Sequence, residues 1–201
     1  MIDAQINKII KPFLDTLAQK LLIYNVKPNS VTFTGFFFGL FCSYFIVNEM
    51  FFYAGIFLFL NRFCDGLDGA LARLIGETDI GAFYDIILDF LFYFIFPISF
   101  ILLDLKNTYS ICFLLLSFVA TQTTFLATSW LVEKNRLLIS DGQNKSFFYA
   151  GGITEGFETI ICFFMMLIFY ELINYIAYIF GILCWITFIN RLLLIRELLK
   201  K

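Results

Sequence analysis

The chain is a succession of long apolar stretches, and nothing else in it constrains the fold as much. They run at about 30–48, 50–74, 81–103, 108–132, 153–171 and 175–195. Each is near the ~20 residues that a helix needs to cross a bilayer. Backbone polar groups in lipid must be bonded within the chain, and a helix does this segment by segment. Of 201 residues, 61% are hydrophobic and 15% charged, whereas a soluble domain is roughly half apolar and a quarter charged. The expectation is an all-α polytopic membrane protein, one domain over 1–201, with six transmembrane helices over 30–195. Residues 1–22 differ: Ile2, Ile6, Ile9, Ile10, Phe13, Leu14, Leu17 and Leu21 recur at helical spacing with Lys8, Lys11, Asp15 and Lys20 between them. That pattern predicts an N-terminal amphipathic helix lying in the membrane interface. Pro28, with Asn29 or Ser30 as a cap, starts the first span.

Lysine and arginine set the orientation. With the N-terminus inside, all of the 14 basic residues except Lys106 fall on or near the inner side. Both termini then face the cytoplasm. Five scattered cysteines behave as small apolar residues, and the absence of histidine removes imidazole-based zinc sites and acid–base chemistry. The 29 phenylalanines are expected to face lipid. Thr121, Gln122, Thr123, Thr124 and Thr128 are expected to bond between helices. No nucleic-acid partner is expected.

Against this background stands "NRFCDGLDGALARLIGETDIGAFYDIILDF". Asp65 and Asp68 share a helix face, and Asp85 and Asp89 share another. The two spans are antiparallel neighbours, so four carboxylates meet at the inner end. Each costs roughly 2.5–3.5 kcal/mol at a bilayer centre and less toward the interface, and the four repel one another. Such oxygen ligands select Mg²⁺, Mn²⁺ or Ca²⁺, and four of them can hold two ions. Gly66, Gly69, Ala70 and Ala72 let a ligand approach, and Arg73 offers a phosphate a fork of donors.

These residues resemble the CDP-alcohol phosphatidyltransferase family, whose motif is D-x-x-D-G-x-x-A-R, a spacer, then G-x-x-x-D-x-x-x-D. Asp65, Asp68, Gly69, Ala72, Arg73, Gly81, Asp85 and Asp89 match every fixed position. "KPNSVTFTG" is similar to the family's Pro-Asn-x-x-Thr start of the first span. "NRFCDGLDGALAR", "DFLFYFIFP" and "KSFFYAGGITEGFETI" most resemble a bacterial inner-membrane branch. The resemblance implies a homodimer in the cytoplasmic membrane with a cytoplasm-facing site. It implies transfer of a substituted phosphate from a CDP-linked lipid donor, CDP-diacylglycerol in most bacterial members, to a small alcohol with release of CMP, in phospholipid biosynthesis. It implies that Asp65, Asp68, Asp85 and Asp89 bind Mg²⁺ or Mn²⁺, two ions per subunit, and that Asp89 acts as base. Gly69, Ala72, Arg73 and Gly81 would border the CDP, with Asn29 and Thr32 nearby.

The acceptor is sought among Arg136, Lys145, Arg191 and Glu155, predicted near the inner ends of spans four to six. Their plainer readings are positive-inside anchors and, for Glu155 and Glu158, complements to a helix dipole. Two other functions fit an acidic membrane site. A Mg²⁺-dependent intramembrane prenyltransferase would place its acidic motifs far apart, whereas here both pairs fall within the 25 residues from Asp65 to Asp89. A divalent-cation carrier would bury its ligands near the midplane, not toward one end.

Overall fold

A computed structural model describes residues 2–134 and 154–198. Every regular element among them is helical. The helices are α1 (Ile2–Ile23), α2 (Pro28–Val47), α3 (Phe51–Ile75), α4 (Asp79–Leu103), α5 (Thr108–Lys134), α6 (Gly156–Ile168) and α7 (Ile173–Leu198). Pro28 is the first residue of α2, after Lys27 in extended conformation, where the missing N–H costs nothing.

Four helical stretches are long and apolar enough to cross a membrane: Pro28–Val47, Asp79–Leu103, Leu105–Leu131 and Tyr170–Glu197. The six expected spans are therefore met in part. Helix α3 has the length, 25 residues, but carries Arg62, Asp65, Asp68 and Arg73. Helix α6 has 13 residues, about 20 Å at 1.5 Å per residue, against a hydrocarbon core of about 30 Å. It ends at Phe169, where a single 3₁₀ turn, Tyr170–Leu172, leads into α7.

Helix α2 packs closely on both α3 and α4, and α5 pairs with α7. The close approach is built on small residues. A Cβ on Gly35 would stand 2.8 Å from the Cβ of Cys64, and one on Gly39 would stand 2.6 Å from the Phe92 ring. Asn61, buried on α3, donates from Nδ2 to the Gly35 carbonyl at 2.8 Å. The main core is aromatic: Phe92, Phe96 and Phe100 of α4 meet Phe163 of α6, with Phe96 and Phe163 stacked at 4.1 Å between ring centroids. This corrects the expectation that phenylalanine only faces lipid. The residue type does both jobs, since Phe37, Phe52 and Phe59 are exposed on surfaces that suit a bilayer.

Helix α1 packs along α3 through Leu14, Leu17, Ala18 and Leu21, while Phe13 and Ile10 stay exposed. Its amphipathic pattern thus serves a protein contact as well as an outward apolar edge. The threonines of α5 also differ from expectation. Thr121, Thr123 and Thr124 each bond a carbonyl three or four residues back in their own helix, a local option always open to a hydroxyl in a helix. Next to the start of α5, interhelical polar bonds are made by Asn107 and Asn174. Asn107 Nδ2 donates to the Phe100 carbonyl at 3.0 Å, and Asn174 Nδ2 donates to Asn107 Oδ1 at 3.0 Å. These tie the start of α5 to α4 and α7.

Candidate active site

A short turn brings the two acidic pairs together. Helix α3 ends at Gly76, whose φ of 118° favours glycine. Thr78 then caps α4, its Oγ1 accepting from the Gly81 N–H at 3.2 Å. Only residues 76–78 separate the helices, so the second half of α3 lies beside the first half of α4. Asp65, Asp68, Asp85 and Asp89 line one niche there with Thr32 and Arg62.

Asp68 is 4% exposed, and no donor among the described residues reaches its buried Oδ2. A buried carboxylate oxygen without a partner is expensive, and with three more aspartates in the niche the donor set fits a hard divalent cation. Among the described residues, no three acidic side chains already converge on one point as an ion would require. Two of the aspartates are instead engaged by Arg62. Its Nη1 stands 2.6 Å from Asp89 Oδ1 and 3.7 Å from Asp65 Oδ2. Sequence reasoning counted Arg62 only as an inner-side cation. Its place three residues before Asp65, on the same helix face, was the available signal.

Two cavities meet this niche. The first, about 670 Å³, is lined by all six residues expected to border CDP: Asn29, Thr32, Gly69, Ala72, Arg73 and Gly81. Asp68 and Asp85 close its inner side. Gly81 has a local reason for its identity. A Cβ there would stand 2.9 Å from Thr78 Oγ1 and 3.2 Å from Asn29 Oδ1, breaking the cap and entering the cavity wall. Arg73 is half-exposed and stands 3.7 Å from Asp15 of α1, a partner the sequence placed only on a polar helix face.

The second cavity, about 400 Å³, lies between α4, α5, α6 and α7. It is lined by Asp65, Asp85 and Asp89, with Tyr93, Thr121, Gln122, Thr154, Glu155 and Arg191 among its other residues. Arg191 Nη1 donates to the Thr121 carbonyl at 3.0 Å, and its guanidinium stands 5.8 Å from the Phe125 ring centre. Thr154, just before α6, bonds Thr187 of α7 through both its N–H and its hydroxyl. Glu155 and Glu158 form a capping box at the start of α6, with Glu158 accepting from the Glu155 N–H at 3.1 Å, as the helix-dipole reading expected; of the two, Glu155 also lines the cavity. Arg136 and Lys145 lie outside the described residues.

Asp85 thus borders the niche and both cavities, with Asp68 toward the first and Asp65 and Asp89 toward the second. A membrane helix bundle with carboxylates suited to hard cations, set between two cavities, is the framework of a membrane-embedded transferase. The family model for CDP-alcohol phosphatidyltransferases matches residues 25–190, and the chain belongs to that family. Its members are enzymes that transfer substituted phosphate groups, and phosphatidyl transfer in phospholipid biosynthesis is the function of this chain. The family uses divalent metal ions. The prenyltransferase and carrier readings fall with this membership.

The chain is 39% identical to "Inner membrane protein YnjF" of Escherichia coli strain K12 over 192 residues, 95% of this chain and 93% of that one. It is 31% identical to an archaetidylinositol phosphate synthase of Pyrococcus horikoshii over 193 residues, 94% of this chain and 93% of that one. The fold is similar to that of the Mycobacterium tuberculosis phosphatidylinositol phosphate synthase PgsA1, solved with CDP-DAG bound. The TM-score is 0.61 at 19% identity, over 89% of this chain and 91% of that one.

Proposed function

We propose that the chain transfers a phosphatidyl group from CDP-diacylglycerol to a small polar alcohol. The observation that carries this reading is the placement of the four aspartates between the two cavities. The larger cavity takes the CDP moiety and the smaller takes the alcohol. Asp65, Asp68, Asp85 and Asp89 would hold two Mg²⁺ or Mn²⁺ ions, which when bound would supply neutralisation of charge on the pyrophosphate. Arg73 offers its fork to the phosphates from the far wall of the larger cavity. Glycine at 69 leaves room for close approach, since a Cβ there would meet only Arg73 Nη1 at 3.5 Å.

In the reaction the acceptor hydroxyl oxygen bonds to the phosphorus that carries the diacylglycerol. The bond from that phosphorus to the bridging oxygen breaks, and CMP leaves with the electron pair. Asp89, on the wall of the second cavity, takes the hydroxyl proton. No covalent enzyme intermediate is needed. The charge pattern supports a site and termini facing the cytoplasm, where water-soluble CMP is released. The family resemblance supports a homodimer.

The test is CMP release by purified protein in vesicles with CDP-diacylglycerol, Mg²⁺ or Mn²⁺, and a panel of alcohols: inositol phosphate, inositol, glycerol phosphate and serine. One alcohol should stimulate release and enter the lipid product. Failure of every alcohol with every CDP-linked donor would refute the reading. Two variants separate the cavities. Gly81→Val is expected to raise the donor KM by at least about tenfold, because the loss of a cap and local overpacking together amount to about 2 kcal/mol. Arg191→Gln is expected to raise the acceptor KM about 10–100-fold, the ~1.5–3 kcal/mol of a charged hydrogen bond, with the donor KM unchanged. Steady-state kinetics with each substrate varied in turn checks both.

A further inference from the structure

Arg62 does not sit as an interfacial anchor would. Long basic side chains near a helix end extend toward water, yet this one turns inward and is 12% exposed. It is held from several sides. Nε donates to Asn61 Oδ1 at 2.7 Å, and Asn61 is itself bonded to the α2 backbone at Gly35. The guanidinium centre stands 5.2 Å from the Phe92 ring centre and 5.5 Å from that of Tyr93, both on α4. Its Nη1 faces Asp89 Oδ1 at 2.6 Å.

That arrangement has two consequences. Asp89 Oδ1 is fully buried and meets Arg62 as an ion pair without hydrogen-bond geometry, while the side chain as a whole is 22% exposed, so its open part lies away from Arg62. The ion pair leaves the other oxygen for the acceptor cavity that Asp89 also lines. A fixed positive charge between Asp65 and Asp89 also opposes a divalent ion on that side of the niche. A buried ion pair is weak evidence of a stability role, and a guanidinium on a metal-site carboxylate works against metal binding. Its presence therefore calls for a role in the reaction.

We propose that Arg62 is a positioning residue for the transfer: it pins one oxygen of Asp89 so that the other meets the acceptor hydroxyl, and it keeps the divalent ion on the Asp65–Asp89 side weakly bound. The proposal rests on the phosphatidyl-transfer reading for its first half only. The metal half is measured without turnover.

The experiment uses full-length protein in detergent, with Arg62→Gln and Arg62→Lys. Mn²⁺ binding is followed by electron paramagnetic resonance of the free ion, with no substrate present. Arg62→Gln is expected to bind its weaker Mn²⁺ at least about tenfold more tightly, since a positive charge paired with two of the ligand carboxylates is removed. Its kcat is expected to fall about 100-fold while the KM for CDP-diacylglycerol stays within about twofold. Arg62→Lys keeps the charge but not the planar fork. It is expected to keep wild-type Mn²⁺ affinity and to lose about tenfold in kcat, which decides the positioning half on its own, while Arg62→Met removes the charge for the Mn²⁺ titration if the glutamine variant does not fold. Unchanged Mn²⁺ affinity in Arg62→Gln, or unchanged kcat in either variant, overturns the proposal. If wild-type protein releases no CMP with any alcohol, the transfer reading fails, and the Mn²⁺ titration still decides whether Arg62 opposes the ion.

Discussion

Asp68→Asn is expected to lower CMP release by about 10³-fold while leaving the protein as stable as wild type or more so. The two halves of this expectation come from one observation. Asp68 is almost fully buried, and its Oδ2 has no donor among the described residues. In the absence of substrate and metal, that charge is an unmet cost to the fold. Asparagine has nearly the same shape and removes the charge, so folding loses nothing. Catalysis loses a negative oxygen at the point where the niche meets the donor cavity. Removing one preorganised charge-stabilising group costs about 10²–10³-fold in well-studied enzymes. Removing a direct metal ligand belongs at the upper end, since even the groups behind the ligands cost 10–100-fold. The measurement pairs CMP release with thermal unfolding in detergent. Loss of activity together with a lower Tm would make Asp68 a packing residue and remove it from the metal site. Near-normal turnover would do the same.

The aspartates were legible in the sequence because charge in an apolar span has few inexpensive explanations. Their spacing fixed the helix face. The six residues that the family motif and the start of the first span expect to border CDP do line one cavity. What the sequence hid was partnership between helices. Arg62 and Asp15 are ordinary residues in their own segments. Only the packing of α3 and α4 on a shared α2, and of α1 against α3, turns them toward Asp89 and Arg73. The apolar stretches show the opposite difficulty. Their composition matches lipid and core equally, so periodicity could not tell buried Phe96 from exposed Phe59. The short α6 is a related case: Phe169 and Tyr170 continue its apolar run as far as Glu171, so hydropathy places the end of the span a few residues after the helix stops at Ile168.

Gly39→Val is expected to destabilise the protein by about 3 kcal/mol or more and to lower activity with it, although Gly39 lines neither cavity. A Cβ at position 39 would stand 2.6 Å from Cδ2 and 3.0 Å from Cε2 of Phe92, and 3.2 Å from Asn61 Nδ2. Phe92 cannot swing away freely. It is buried, its ring lies 5.9 Å from that of Phe96 and 6.0 Å from that of Phe163, and Arg62 stands over it. Overpacking a well-filled core costs about 1–3 kcal/mol, sometimes more, and two methyl groups beyond the Cβ place valine at the top of that range. The displacement then reaches the site by contact, because Phe92 and Asn61 are the residues against which Arg62 rests. Thermal unfolding and CMP release measured on Gly39→Val, Phe92→Leu and the double variant check this. Each single variant should be destabilised, the first by crowding and the second by a cavity. The double variant should be more stable than the sum of the two predicts, because leucine vacates the space that valine fills. Strict additivity would show that the clash is relieved elsewhere, by separation of α2 from α4. Activity should follow the same order, since the guanidinium beside Asp89 recovers its place only when the ring beneath it does.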